Sequence, residues 1–390
     1  MSETTEYGVP IRAITQGPRH HFFGYYDKTP WDATGRYILA LEVPFMDRPP
    51  GPEDRAIIGL VDREHDTFTA VTETRAWNWQ QGCMLHWLPT APEREIIFND
   101  RDGDRFVSVV MDVHTGARRT LPMPIYALSP DGLTAIAPNF SRLATQRPGY
   151  GYAGVPDPWA EVLIPEDDGI YRLDVATGAC ERILSIGDIA RYQHHASMEG
   201  VMNWLNHLQF DPSGQRFIFL HRWRRPATGL WSTQLLTAAS NGTALHCVAD
   251  DGMVSHFDWR DPRHVLAWAS QPEGGNHYYL FDDGDTGAVE IVGNGVLTTD
   301  GHCSYSPDRR WILTDTYPDA EHRRTLLLYD PINRRRVDLG RFYSPPNVSG
   351  ELRCDLHPRW NRDGTQICID SAHAGERQMY VLDLAEIVTQ

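Results

Sequence analysis

Gly301-His302-Cys303-Ser304-Tyr305-Ser306-Pro307-Asp308 decides the fold, because it is one copy of a pattern that recurs along the chain. Each copy has an aromatic residue or Leu, with Pro, Asp, Arg or Ala two positions later. The residue three before the aromatic marks a slot. Seven segments align in this way, with slots at Lys28, Met84, Ile125, His207, His256, His302 and His357. The slots are 56, 41, 82, 49, 46 and 55 residues apart. A unit of this length that ends in a tight turn predicts an all-β, seven-bladed propeller of four-stranded blades. A single domain over residues 1–390 follows, because no blade buries its core alone.

In the sixth copy, His302 to Tyr305 reads as a short inner strand and Ser306-Pro-Asp-Arg309 as a β-turn. Trp311 to Asp315, Thr325 to Asp330 and Arg336 to Leu339 supply the next three strands. Turns at Asp131-Gly132, Ser213-Gly214 and Asp363-Gly364 repeat this rhythm. So do hairpins at Thr115-Gly116, Thr177-Gly178, Asn241-Gly242 and Thr286-Gly287. The seventh copy ends after about three strands, leaving one place in its sheet. The N-terminal Val9 to Thr15 is expected to fill that place and close the ring, removing two open sheet edges.

Composition suits a large aromatic core: 41% hydrophobic residues, with 12 Trp, 16 Tyr and 13 Phe. The net charge of −16 argues against nucleic acid as a partner. A small anionic ligand remains compatible, because a local arginine cluster can hold one inside an acidic protein. No apolar run approaches a membrane span. The polar N-terminus lacks a secretory pattern, and the six cysteines lack CxxC spacing. These features predict a soluble cytoplasmic protein with free thiols.

Antiparallel geometry puts every slot, and every loop between strands two and three, on one side of the disc. The loops Pro44–Arg55, Asn139–Asp168, His221–Gly229 and Tyr317–Arg324 belong there, as does the insertion Ile186–Asn206, expected to be partly helical. Elaborated loops over a rigid scaffold carry function. His65 and His114 fall in turns on the other side and are excluded.

Four consecutive slots hold histidine: His207, His256, His302 and His357. Converging by symmetry, they suit a divalent ion such as manganese, zinc or calcium, or line the channel with hydrogen bonds. Cys303 and Cys354 read as buried thiols. Tyr126 and Arg142 are expected at the same hairpin end, where the guanidinium would lower the phenol pKa or simply sit over a ring. Arg222 and Arg224, in His221-Arg-Trp-Arg-Arg225, are candidates for binding a carboxylate, whereas Arg225 reads as solvated. His21 and Tyr25 precede the first slot and are expected to line the same cavity.

At these residues the chain resembles the seven-bladed propeller polysaccharide lyases: the oligogalacturonate lyases and the related ulvan and rhamnose–glucuronate lyases. The marks are the histidine slots, Ile125-Tyr-Ala-Leu-Ser-Pro-Asp-Gly132 with Asn139-Phe-Ser-Arg142, and Asn206-His207. The resemblance implies a central metal held by histidines, and Tyr126 as base and acid with Arg142 bracing a uronate carboxylate. The histidine pair that accompanies such a tyrosine is represented only by Gln81 and His86. The implied activity is β-elimination on a uronate-containing oligosaccharide. A non-catalytic propeller scaffold is the alternative from another class, and a metal-dependent propeller hydrolase or isomerase is a third.

Overall fold

Each repeat unit places a short inner strand at the axis, two longer apolar strands behind it and a more polar strand outside. A computed structural model describes residues 6–225, 228–284 and 288–389, and there seven antiparallel sheets form the ring of a seven-bladed β-propeller. The inner strand of blade four is Asn203–Phe210, followed outward by Arg216–Arg224, Trp231–Ala239 and His246–Ala249. Ile11–Ala13 pairs with Gln378–Asp383 as the outermost strand of blade seven. The N-terminal segment thus completes the last blade, as expected. Glu6–Tyr7 adds an unanticipated fifth strand to blade six, against Arg335–Tyr343. The Thr286-Gly287 hairpin lies outside the described residues.

Alternation in the middle strands drives assembly. Leu39 and Leu41, Ile96 and Phe98, and Phe217 and Phe219 are almost wholly buried in the packing between blades. Each such side chain contributes roughly 1.5–3 kcal/mol of hydrophobic stabilisation. None of the six cysteines is paired. Cys303 and Cys354 are buried in apolar clusters, as the strand pattern predicts. No helix among the described residues is long and apolar enough to cross a membrane.

Two of the slots are bulges. Register shifts between Asn206 and Gln209 and between Val254 and Phe257, so His207 and His256 stand outside the regular pairing. Met84, His207 and His357 adopt positive φ angles of 52°, 48° and 41°. Such conformations cost about 1–3 kcal/mol each and persist only where the surroundings enforce them. A bulge re-aims a side chain, and here it supports turning the slot residues into the channel.

Blade one departs from its siblings. Its inner strand, His20–Phe22, leaves the sheet and regains it only at Trp31, which bridges to Ile38. The intervening segment fills the channel. Tyr26 Oη donates to the Phe257 carbonyl at 2.9 Å, and Lys28 pairs with Asp27 at 2.7 Å, both almost wholly buried. Gly24 packs so closely that a Cβ would lie 2.7 Å from the Gln81 carbonyl oxygen. This plug separates a slot-side cavity from openings on the turn side.

Candidate active site

The slot-side cavity has a volume of about 380 Å³. Blade four supplies Arg222, blade five His256, and the 139–168 insertion Arg147 and Tyr150, with Tyr25 of the plug at the floor. The strand carrying Arg222 runs to Arg224, further than the sequence suggested. Arg222 pairs across to Trp204 and Thr233, so its backbone is locked in a sheet rather than held in a loop.

Three guanidiniums border this cavity. Arg222 stacks over Trp231, and Arg147 lies over both Trp231 and Tyr150 at 4.7 and 4.5 Å. Arg225, read as solvated from the sequence, bonds Ser232 and the Gly252 carbonyl. None of the three forms an ion pair with a carboxylate among the described residues, although acidic residues outnumber basic ones in the chain. Nε of both Arg147 and Arg222 is buried without a hydrogen-bond partner. Burial, and secondarily Arg147, push the Arg222 pKa down to about 10, which still leaves it cationic at neutral pH. A buried cation without a carboxylate partner, as Arg222 is among the described residues, is costly and suits an incoming anion.

The four slot histidines do not act alike. His302 and His357 gather with Asp355, their ligand-type atoms all within 4.8 Å of one another. His302 Nδ1 lies 2.8 Å from Asp315, which can only accept when ionised, so Nε2 carries the lone pair. Nε2 of both His302 and His357 is buried without a hydrogen-bond partner. Burial opposes charge on Asp355, but Arg353 and Arg324, with the two imidazoles, hold its pKa well below the usual range. A cluster of two imidazoles and one carboxylate, with a carboxylate behind His302, fits a transition-type divalent ion.

His256 stands beside this group, its ring 4.2 Å from that of His302. Asp300 holds its Nδ1 at 2.9 Å, leaving the Nε2 lone pair available. Burial lowers its pKa, favouring the neutral imidazole. His207 is set apart. It stacks on Phe257 at 4.1 Å and turns Nε2 toward Asp27 at 3.8 Å.

These geometries belong to a fold with known counterparts. No family model matches the chain, and no curated protein matches it. Among solved structures, an oligogalacturonate lyase in complex with manganese aligns at TM-score 0.69 and 16% identity, covering 99% of this chain and 97% of that one. An oligogalacturonate lyase from Vibrio parahaemolyticus aligns at TM-score 0.66 and 12% identity, with 97% and 96% covered. The propeller domain of the trilobed protease from Pyrococcus furiosus aligns at 0.53 and 9%, with 93% of each chain covered. The chain shares its fold with oligogalacturonate lyases.

Other residues singled out in the sequence are not brought to the cavity. Asn139 caps a short helix, α1 (Phe140–Gln146), and that helix turns Arg142 inward. The Arg142 guanidinium bonds the carbonyls of Trp159, Val162, Leu163 and Asn203 and pairs with Asp157. Tyr126 is buried and accepts from Gln81 Nε2 at 2.6 Å. Burial, reinforced by Asp27, raises its pKa well above the ordinary value, the reverse of the expected lowering. The pair is not assembled, so the feature pointing toward ulvan-type lyases is not reproduced in space. His86 borders a turn-side opening with Asp27 and Lys28. His21 lies between Gln378 and Glu42, and Arg224 bonds the Gln146 and Gly229 carbonyls over Trp204.

Arg142→Ala is therefore expected to destabilise rather than silence. It leaves the Asp157 carboxylate, whose side chain is almost wholly buried, with Asn139 and the Trp159 N–H but no cation, and breaking such a pair costs about 3–5 kcal/mol. Chemical denaturation of the variant checks this.

Two histidines away from the cluster, buried His221 and half-buried His86, predict acid sensitivity. Burial lowers the pKa of His86 to about 3 and of His221 to about 4. The native state then binds fewer protons than the unfolded chain. Stability is full above about pH 6.5 and is lost as pH falls toward 4. Unfolding midpoints between pH 7 and 4 should decline, and less steeply in His221→Gln.

Asp355, Arg353, Tyr150, Arg147 and Asp300 were missed in the sequence. Asp300 and Asp355 carried a local signal, each standing two residues before a histidine slot, where strand alternation returns to the same face.

Proposed function

We propose that the slot-side cavity binds a uronate-containing oligosaccharide and cleaves it by β-elimination, leaving an unsaturated uronide. The observation that carries this reading is the trio Arg147, Arg222 and Arg225, without carboxylate partners among the described residues, bordering a cavity that also holds His256. The shared fold with oligogalacturonate lyases supports the same substrate class.

Elimination removes the proton α to the carboxylate and expels the oxygen at C4. That proton is too weakly acidic while the carboxylate keeps its full charge. Arg222 pairs with the carboxylate and absorbs charge as the enolate develops. Neutral His256, oriented by Asp300, offers Nε2 as the base. His302, Asp355 and His357 would hold a divalent ion, which supplies further Lewis-acid stabilisation of the carboxylate. Their nitrogen-rich donor set suits manganese or zinc better than calcium, which takes oxygen ligands. The manganese of the similar lyase supports that choice.

The test is incubation with galacturonate, glucuronate and rhamnose–glucuronate oligomers, with manganese or zinc added. Unsaturated uronides, read by ultraviolet absorbance and mass, are expected from at least one. Saturated products would instead indicate hydrolysis, and no product from any of them would overturn the enzyme reading.

A further inference from the structure

The elimination leaves one requirement unmet. The alkoxide departing from C4 is strongly basic and needs a proton as the bond breaks, and His256 in its neutral form has its lone pair, not a proton, free at Nε2. The cavity lining contains one group built to supply that proton. Tyr150 comes from the 139–168 insertion and is 2% exposed. Its oxygen accepts from Arg353 Nη2 at 2.6 Å, while the Arg147 guanidinium lies 4.5 Å from its ring centroid. Arg353 takes up an acceptor lone pair of the phenol and leaves its hydrogen available to donate.

We infer that Tyr150 is the general acid that protonates the leaving oxygen, its phenolate being stabilised by Arg353 and Arg147. The inference rests on the lyase reading and adds the proton donor to it. His256 Nε2 takes the proton from C5, and the C4–C5 double bond forms. The C4–O bond breaks with its electron pair on oxygen, and that oxygen takes the Tyr150 proton. Transfer through solvent in the open cavity from the His256 imidazolium to the phenolate restores both groups. One substrate gives two products, and no co-reactant is consumed.

The surroundings of Tyr150 single it out from the other phenols here. Arg353 and Arg147 face it with positive charge, Asp355 opposes them, and the Tyr25 ring meets it edge-on at 6.2 Å. Burial alone would raise its pKa, yet the two arginines bring it below the ordinary value. Tyr25 and Tyr126, buried nearby, are raised instead, and so is the more exposed Tyr317. Such a phenol is a stronger acid than its neighbours.

Two measurements test this on the full chain. The first needs no substrate: tyrosinate absorbance is titrated in wild type, Tyr150→Phe and Arg353→Gln. A transition below the ordinary tyrosine range is expected in wild type, absent in Tyr150→Phe and moved upward in Arg353→Gln. The second compares leaving groups. Tyr150→Phe should lose about 10²-fold in turnover on an oligouronide, within the usual range for general acid catalysis. It should keep near wild-type turnover on a uronate bearing a nitrophenyl ether at C4, whose leaving phenolate needs no proton. A purely structural role would depress both substrates alike. An equal loss on both, or full activity on the oligouronide, overturns the acid role while leaving the lyase reading intact. If wild type forms no unsaturated uronide, the lyase reading fails and the acid role falls with it, whatever the titration shows.

Discussion

Replacing Arg222 with methionine is expected to lower turnover on an oligouronide by about 10²–10³, the usual cost of removing a preorganised charge-stabilising group. The side chain is held in a strand, stacked over Trp231, with Nε unpartnered and no ion pair among the described residues. Nothing needs to reorganise for it to meet a carboxylate. The loss should appear in kcat more than in KM, because the enolate carries more charge on the carboxylate than the ground state does. Methionine keeps the apolar stem, so the packing against Trp231 survives and folding should be little affected. Among the described residues, buried Arg222 forms only one long bond, to the Val254 carbonyl at 3.4 Å, so removing the charge relieves a desolvation cost. An Arg222→Met protein with unchanged unfolding midpoint and unchanged kcat would remove the group from the mechanism.

His302→Ala and His357→Ala are each expected to abolish binding of one divalent ion per chain and to bring activity to background. Loss of a partner behind a ligand already costs about 10–100-fold in metal affinity, and loss of a ligand costs more. Asp315→Asn tests the supporting partner separately. It keeps the shape but replaces the carboxylate that holds His302 Nδ1, so affinity should fall within that 10–100-fold range rather than vanish. Elemental analysis and titration with manganese and zinc check both. His207→Ala serves as the contrast. Its imidazole faces Asp27 and Phe257, outside the His302–Asp355–His357 group, so metal content should be retained. Loss of the ion in His207→Ala but not in His357→Ala would invert the assignment.

The repeat made much of this protein legible before any coordinates. Slots, turns and hairpins are local features, each set by residues within a few positions, and seven copies in series leave few topologies besides a ring. The placement of Ile11–Ala13 followed from counting strands in the last blade. Convergence of His256, His302 and His357 followed from symmetry, since equivalent positions on inner strands approach the same axis. Arg222 was singled out because it stands in blade four where Arg142 stands in blade three, and it borders the cavity from the second strand rather than from a loop.

Arg142 failed for a local reason with a global consequence. Spacing treated the segment after Ala137 as strand and return loop, but Asn139 caps a helix, and a change from period 2 to period 3.6 rotates Arg142 away from the axis. Its guanidinium then became the tie that holds the 157–163 segment down. Tyr126, with Asp27 nearby rather than Arg142, kept its proton more tightly instead of less.

The sequence by itself thus determined the blade count, the closure of the ring and the histidine-lined axis, because those depend on periodicity. Only the tertiary structure decided which groups share the cavity. Tyr150 and Arg353 are 203 residues apart in the chain and come within 2.6 Å because an insertion in blade three reaches a loop of blade seven. Asp355 joins His302 through the packing of neighbouring blades, and the plug from blade one fills the channel between them. Those contacts depend on ring closure and on bulged backbones at the His207 and His256 slots, which no local pattern encodes, since a bulge changes where a side chain points without changing which residue it is.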